Sequence, residues 1–330
     1  MAEQAPLLKV EHLTKFFPVK KRKLIEPKRY VHAVEDVSFE LYPGETLGIV
    51  GESGSGKSTL ARTILALTPV TSGHVAYGGE DITDFHVSAA EKRKLRSELQ
   101  MIFQDPYASL NPKLKIGEAI AEPMLYNRQA ANHKEAEVKV KRLLETVGLR
   151  AEVYDRFPHE FSGGQRQRIG IVRALAVSPK VLFCDESVSA LDVSVQAQIL
   201  NLFNELKRKF NLTYVFIGHD LAVIRYISDR ILVMYLGKVM EIAHYDQLFA
   251  DRTHPYTQAL VSAIPQPSTA PRAQRILLEG DIPSVVDPPE GCRFCQRCFK
   301  AQPRCFEEEP ELMKVEEGHY VRCHFVKEAP

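Results

Sequence analysis

The nine residues Gly51–Thr59, GESGSGKST, constrain this chain more than any other stretch. They follow the apolar run Thr46–Val50, TLGIV, which reads as a strand, and residues from Lys57 to about Leu67 read as a helix. Gly51, Gly56, Lys57 and Ser58 meet the pattern G-x-x-x-x-G-K-[ST] in the strand-then-helix context that it requires. Gly51, Gly54 and Gly56 let successive backbone N–H groups turn inward around an anion. The helix N-terminus adds partial positive charge. Lys57 is expected to reach β- and γ-phosphates, and Ser58 to hold Mg²⁺, with Ser53, Ser55 and Thr59 as further ligand-facing positions. The predicted ligand is a nucleoside triphosphate.

The chain has 330 residues, enough for two structural units. It carries 43 Lys plus Arg against 42 Asp plus Glu, a balance that gives no global pull toward nucleic acid. No stretch reaches the ~18 apolar residues of a membrane helix. The N-terminus lacks a basic region followed by an apolar one, so a cytoplasmic location is expected. The basic run Lys20–Lys23 reads as a solvated loop, with contact to anionic lipid or a partner as the rival.

Residues 7–50 read as short strands with a turn at Pro43–Glu45. Residues 134–147 read as a helix with Val140, Leu143, Leu144 and Val147 on one side and Gly148 as its stop. Val181–Asp185 and Thr213–Gly218 are apolar strands. Between them Val195, Ile199, Phe203, Leu206 and Phe210 form one buried helical stripe. Strand, helix and strand in so short a span imply a parallel crossover and an α/β sheet. Beyond about residue 255 prolines become dense and a loop-rich tail is expected.

A phosphate cradle alone hydrolyses nothing. Asp185, at the tip of its strand, suits Mg²⁺, and the adjacent Glu186 is placed to polarise an attacking water. Cys184 reads as a small buried hydrophobe. His219 and Gln104 each follow an apolar strand. His219 is a candidate to sense the γ-phosphate, and Gln104 to touch Mg²⁺ and water. In Phe161–Arg168, FSGGQRQR, Ser162 is placed to cap a helix while Gly163 and Gly164 expose amides at its N-terminus. That makes a second anion site, and with one cradle already complete it suits another molecule's nucleotide.

The loop, FSGGQ, CDE, Ser189–Asp192 (SALD) and His219, in this order, resemble the ATP-binding subunit of an ATP-binding cassette (ABC) transporter. The resemblance covers essentially the whole chain. It implies an α/β P-loop core with an antiparallel β subdomain and an inserted helical subdomain, here residues 107–162. It also implies head-to-tail pairing of two subunits, with ATP between one loop and the other signature, so that Ser162, Gly163, Gly164, Gln165 and Asp192 bind nucleotide. An aromatic should stack on adenine: Tyr30 is the candidate and Phe17 the rival. Three positions depart from the family pattern. Phe161 replaces leucine, Ser187 replaces the proline after the catalytic glutamate, and Gly218 replaces serine before His219. Losing that proline is expected to loosen Glu186 slightly.

The C-terminal stretches His254–Leu260 and Gly280–Cys298 resemble the extension of dipeptide and oligopeptide importer ATPases, of the second ATPase type. The resemblance implies residues 1–254 as the nucleotide-binding domain and 255–330 as a small Cys-rich extension. It implies a paralogous ATPase partner, two membrane permease subunits and an extracytoplasmic peptide-binding protein, at the cytoplasmic face of a bacterial inner membrane. Related importers for nickel, murein peptides or glutathione share these motifs; a soluble cassette ATPase of translation or DNA repair is the alternative of another class. Five of the six cysteines lie between Cys292 and Cys323, in a spacing that suits Zn²⁺ or an iron–sulfur cluster. By the resemblance Cys292, Cys298, Cys305 and Cys323 match the positions of a [4Fe–4S] cluster. Cys295 is a rival ligand, and Zn²⁺ or no metal stays open.

Overall fold

The computed structural model describes residues 5–20, 27–105, 110–250, 254–264 and 275–326. Lys21–Lys23 of the basic run and residues 107–109 of the expected helical subdomain lie outside them. In chain order the strands are β1 (Leu8–Pro18), β2 (Tyr30–Leu41), β3 (Thr46–Val50), β4 (Ser72–Tyr77), β5 (Glu80–Asp81), β6 (Leu99–Ile102), β7 (Val181–Asp185), β8 (Thr213–Gly218), β9 (Arg230–Tyr235), β10 (Lys238–His244), β11 (Met313–Glu316) and β12 (His319–Val321). The helices are α1 (Lys57–Ile64), α2 (Ala89–Glu98), α3 (Ile116–Tyr126), α4 (His133–Thr146), α5 (Gly163–Leu175), α6 (Val193–Phe210), α7 (Leu221–Ile227), α8 (Tyr245–Ala250), α9 (Pro255–Ser262) and α10 (Pro303–Glu307). No helix of the described residues is long and apolar enough to cross a membrane.

The contacts gather the chain into two compact units. One takes Met1–Tyr42, Thr46–Asp84 and Gly218–Pro330, the other Pro43–Glu45 and Phe85–Ile217. In the first, an antiparallel sheet runs β2-β1-β4-β5, and a second run of strands is ordered β11-β12-β10-β9-β3. Of the short strands expected over residues 7–50, β3 is short, but β1 and β2 are long and pair from Leu8↔Leu41 to Pro18↔Tyr30. Register shifts between Val10 and Phe16 carry the extra twist that lets strands of 11 and 12 residues stay paired. β3 is buried along its whole length and lies parallel to β9, Leu47 opposite Arg230 through Val50 opposite Val233. A strand buried on both faces needs the continuous apolar run that Thr46–Val50 supplies.

In the second unit β6, β7 and β8 are parallel neighbours, as a crossover through α6 demands. Phe203 of α6 meets Tyr214 and Phe216 of β8 edge-on at 5.7 and 5.4 Å between ring centres. The expected stripe is shorter than the sequence suggests. Ile199, Phe203 and Leu206 are buried, whereas Val195 is half-buried and Phe210 is 39% exposed. Phe210 is the last helical residue before Asn211, whose φ of +50° ends the helix. Residues 134–147 behave as read. Asn132 Oδ1 caps α4 by accepting from the Glu135 N–H at 3.0 Å, and Gly148 (φ +75°) turns the chain so that the Leu149 N–H reaches the Leu144 carbonyl at 2.9 Å. The helix after the phosphate loop stops at Ile64, short of Leu67, because Ala66 adopts φ +51° and the Leu67 N–H turns back to the Arg62 carbonyl at 2.9 Å.

The stripe's ends and middle should respond differently to truncation. Phe203→Ala should cost about 3–5 kcal/mol, while Phe210→Ala should cost under about 1 kcal/mol, read by denaturant unfolding of the full chain.

Candidate active site

The phosphate loop leaves β3 and enters α1. A Cβ on Gly51 would lie 2.1 Å from the Met234 carbonyl oxygen, and one on Gly56 2.1 Å from that of Ala33. Gly56 also sits at φ +101°. Both glycines are therefore demanded by neighbouring backbone. Gly54, at φ +78°, has open space around it. Ser53 and Gly54 are exposed at the tip, Ser55 is buried, and Ser58 and Thr59 are half-buried. Lys57 is only 5% exposed; its Nζ donates to the carbonyls of Gly51 and Glu52 at 2.8 and 2.9 Å and to Ser55 Oγ at 3.3 Å. A buried ammonium needs such partners, and these set its charge at the loop itself.

The aromatic candidates lie on the paired ends of β1 and β2, Phe17 opposite Val31 and Tyr30 opposite Pro18. Both are exposed. The Lys15 ammonium lies 4.7 Å from the centre of the Phe17 ring, so that face carries a cation. His219 is exposed between β8 and α7, next to Asp220, which caps α7. Gly218 is tight against Ile224, whose Cδ1 would lie 3.1 Å from an added Cβ.

In the second unit β7 delivers the two acids. Asp185 is buried at 1% exposure, and Glu186 takes φ +44°, a strained conformation for a residue with a side chain. Gln104 Nε2 donates to Glu186 Oε2 at 2.7 Å, so the structure joins two residues that are 82 positions apart. The Glu186 N–H donates to the Ile217 carbonyl at 3.0 Å, and its carbonyl accepts from the Ser189 N–H and Oγ at 3.1 and 2.9 Å. Ser187 is buried and its hydroxyl has no hydrogen-bond partner among the described residues. The turn is thus held by Ser189, and the missing proline does not leave the Glu186 backbone free. Burial pushes the Cys184 thiol far up, in keeping with a packed neutral side chain.

Ser162 caps α5 in a reciprocal box, its Oγ accepting from the Gln165 N–H at 3.4 Å and its own N–H donating to Gln165 Oε1 at 3.1 Å. Gln165 is engaged locally. Gly164 has a packing duty that its sequence context hides: a Cβ there would lie 2.5 Å from Val195 Cγ1 of α6. Phe161 is buried, with the Arg156 guanidinium 4.6 Å from its ring centre, so the departure from leucine is absorbed in packing. Arg166 donates to the Pro158 and His159 carbonyls, and Arg168 to that of Val147, which spends both cations on the helical segment. Asp192 caps α6, accepting from the Val195 N–H at 2.9 Å and Ser194 Oγ at 2.7 Å.

The tail cysteines are all free thiols. Cys292 donates its N–H to the Cys305 carbonyl at 2.8 Å, and Cys295 and Cys298 follow in a tight turn. Burial pushes Cys292 up to about 12 and Cys298 up to about 11. The soft donors are right for a metal, but the described residues contain no group of three or more Cys, His, Asp or Glu side chains that could hold one. Among the described residues the expected [4Fe–4S] or Zn²⁺ ligand set of Cys292, Cys298, Cys305, Cys323 and the rival Cys295 is thus not drawn together as a ready-made metal site. The sequence reading also missed Tyr256, whose Oη accepts from the Glu52 N–H at 2.9 Å. Its only signal was the His-Pro-Tyr stretch, 204 residues from the loop it touches.

A glycine-gated loop with a buried lysine, opening a helix from a parallel strand, defines a P-loop nucleotide-binding protein. Residues 34–189 match the model of the ABC transporter family, and residues 240–305 that of the oligopeptide/dipeptide transporter C-terminal region. The putative oligopeptide transport ATP-binding protein YkfD of Bacillus subtilis is 49% identical over 327 residues, 98% of this chain and 97% of the relative. The oligopeptide transport ATP-binding protein OppF of Haemophilus influenzae is 48% identical over 323 residues, 96% of each chain. The dimeric ATP-binding cassette MJ0796, in a post-hydrolysis state bound to ADP and Pi, superposes with a TM-score of 0.62 at 29% identity, over 72% of this chain and 98% of that one. The chain belongs to the oligopeptide/dipeptide branch of the ABC transporter ATP-binding proteins, and its fold is the ABC ATPase cassette.

The loop glycines should separate cleanly. Gly54→Ala should cost about 1 kcal/mol, the left-handed penalty alone. Gly56→Ala should cost more and abolish ATP binding, because its methyl meets the Ala33 carbonyl; denaturant unfolding and nucleotide titration check both.

Proposed function

We propose that this chain is the ATP-hydrolysing subunit that powers uptake of di- and oligopeptides through a membrane importer. The hydrogen bond that holds the Glu186 carboxylate to Gln104, beside the buried Asp185, carries the catalytic half of this reading; the lysine-floored loop carries the binding half. Relatives that align over nearly the whole chain are named oligopeptide and dipeptide transport ATP-binding proteins.

The roles follow from each residue's chemistry. The amides of Gly51–Thr59 and the Lys57 ammonium bind the β- and γ-phosphates. Ser58, Asp185 and Gln104 are the groups that would hold Mg²⁺, which neutralises charge on the phosphates when bound. Glu186 orients a water for in-line attack, and Gln104 keeps its carboxylate aimed. His219 contacts the γ-phosphate, and Tyr30 stacks on adenine. Ser162, Gly163, Gly164, Gln165 and Asp192 complete the pocket of a second, paralogous ATPase subunit. Two permease subunits at the cytoplasmic face of the membrane and an extracytoplasmic peptide-binding protein complete the importer. Nickel, murein peptides and glutathione are the competing solutes. For the tail we propose that cluster assembly would draw Cys292, Cys298, Cys305 and Cys323 together around an iron–sulfur cluster, supported by the five free thiols between Cys292 and Cys323; iron and sulfide analysis after anaerobic isolation tests it, and zinc in their place overturns it.

Glu186→Gln should lower phosphate release by at least about 100-fold while ATP binding persists. Turnover near wild type would remove Glu186 from this role. In proteoliposomes carrying the full importer, hydrolysis should rise when the binding protein is loaded with peptide, and a response to nickel alone would overturn the solute assignment.

A further inference from the structure

Glu52 is the one carboxylate within the loop Gly51–Thr59, and a negative charge there opposes an anion cradle. Two groups from the C-terminal part of the chain hold it. Arg297 Nη1 donates to Glu52 Oε2 at 2.6 Å, with the arginine side chain 9% exposed. The Glu52 N–H donates to Oη of the fully buried Tyr256 at 2.9 Å. The Glu52 carbonyl in turn accepts from Lys57 Nζ. One residue therefore links the tail, a loop amide and the loop lysine.

The groups that make these contacts are themselves fixed. Tyr235, Tyr256 and Phe294 pack together, with ring centres 4.9, 5.3 and 5.2 Å apart. Arg297 lies over the Tyr235 ring and donates to its Oη at 3.4 Å. Arg293, four residues before Arg297, donates to Glu35 of β2 at 2.6 Å, and Lys238 of β10 reaches the same carboxylate at 3.2 Å. Burial alone would raise the Glu35 carboxyl, but His32, Arg293 and Lys238 together hold it below its ordinary range. The segment around Arg297 is thus anchored on both sides, by rings and by buried charge.

We propose that Arg297 and Tyr256 are positioning residues of the phosphate loop: Arg297 cancels the Glu52 charge and Tyr256 fixes the Glu52 amide, so that the C-terminal tail sets the loop's affinity for nucleoside triphosphate. The inference rests on reading Gly51–Thr59 as the nucleotide cradle. A like charge beside a triphosphate repels it, and a neutralised one does not. A hydrogen-bonded amide keeps the first turn of the loop in one conformation, which lowers the ordering cost of binding.

Titration of the full chain with ATP tests this. Arg297→Met should weaken ATP binding about tenfold, the effect of losing one charge-assisted contact. Adding Glu52→Gln to Arg297→Met should restore affinity to within about twofold, because no charge remains to cancel. Tyr256→Phe keeps the aromatic packing and should weaken binding about three- to tenfold, with an unfolding midpoint close to wild type. In steady-state hydrolysis the change should fall in KM rather than in kcat, and Arg297→Lys should rescue most of it. Wild-type affinity in both Arg297→Met and Tyr256→Phe overturns the proposal, as does a double variant no better than Arg297→Met. Should Arg297→Met fail to fold, Tyr256→Phe alone decides, and wild-type affinity there overturns the proposal. Lys57→Gln separates the two readings. If that variant binds ATP like wild type, the cradle reading falls; if it loses ATP while Arg297→Met and Tyr256→Phe both bind normally, only the positioning role falls.

Discussion

Backbone meets backbone at the phosphate loop. Gly51 and Gly56 each lie where a single added carbon would press within 2.1 Å of a carbonyl oxygen, from Met234 and Ala33. Removing side chains at these two points lets the loop wrap tightly enough to turn its amides inward before α1 begins. Lys57, buried against the carbonyls of Gly51 and Glu52, fixes a positive charge on the floor of that wrap. The close approaches come from β2 and β9, so the site is a product of packing as much as of its own nine residues.

The same economy governs the second unit. β7 is buried along its length, and its end presents two acids with different surroundings. Asp185 is enclosed, while Glu186 is turned by a positive φ and met by the Gln104 amide. Backbone strain of this kind persists only where neighbours over-determine it, and Ile217 and Ser189 do so here. At the signature, Ser162 and Gln165 cap each other and Gly164 makes room for Val195, so the starts of α5 and α6 are locked together.

The tail is tied into the first unit by charge and by rings rather than by a large apolar core. Glu241, fully buried in β10, accepts from the His254 N–H at 3.2 Å and pairs with His319 of β12 at 2.7 Å. Burial alone would raise its carboxyl, yet these partners hold it low. Such a cluster costs stability if any member is lost, which suits a short segment that must adopt one seat.

The sequence by itself determined the phosphate loop, the strand-end acids, the cap at Ser162 and the stop at Gly148. Each is a local pattern whose chemistry acts within a few residues. It left open how far α6 stays buried, since Phe210 fits the helical period but lies at the exposed end of its helix. It could not show that Gln104 holds Glu186, that Gly164 serves Val195, or that Tyr256 and Arg297 reach Glu52. Those contacts join residues tens to hundreds of positions apart, and only the folded chain, by bringing distant backbone within hydrogen-bond range, decides which side chains meet.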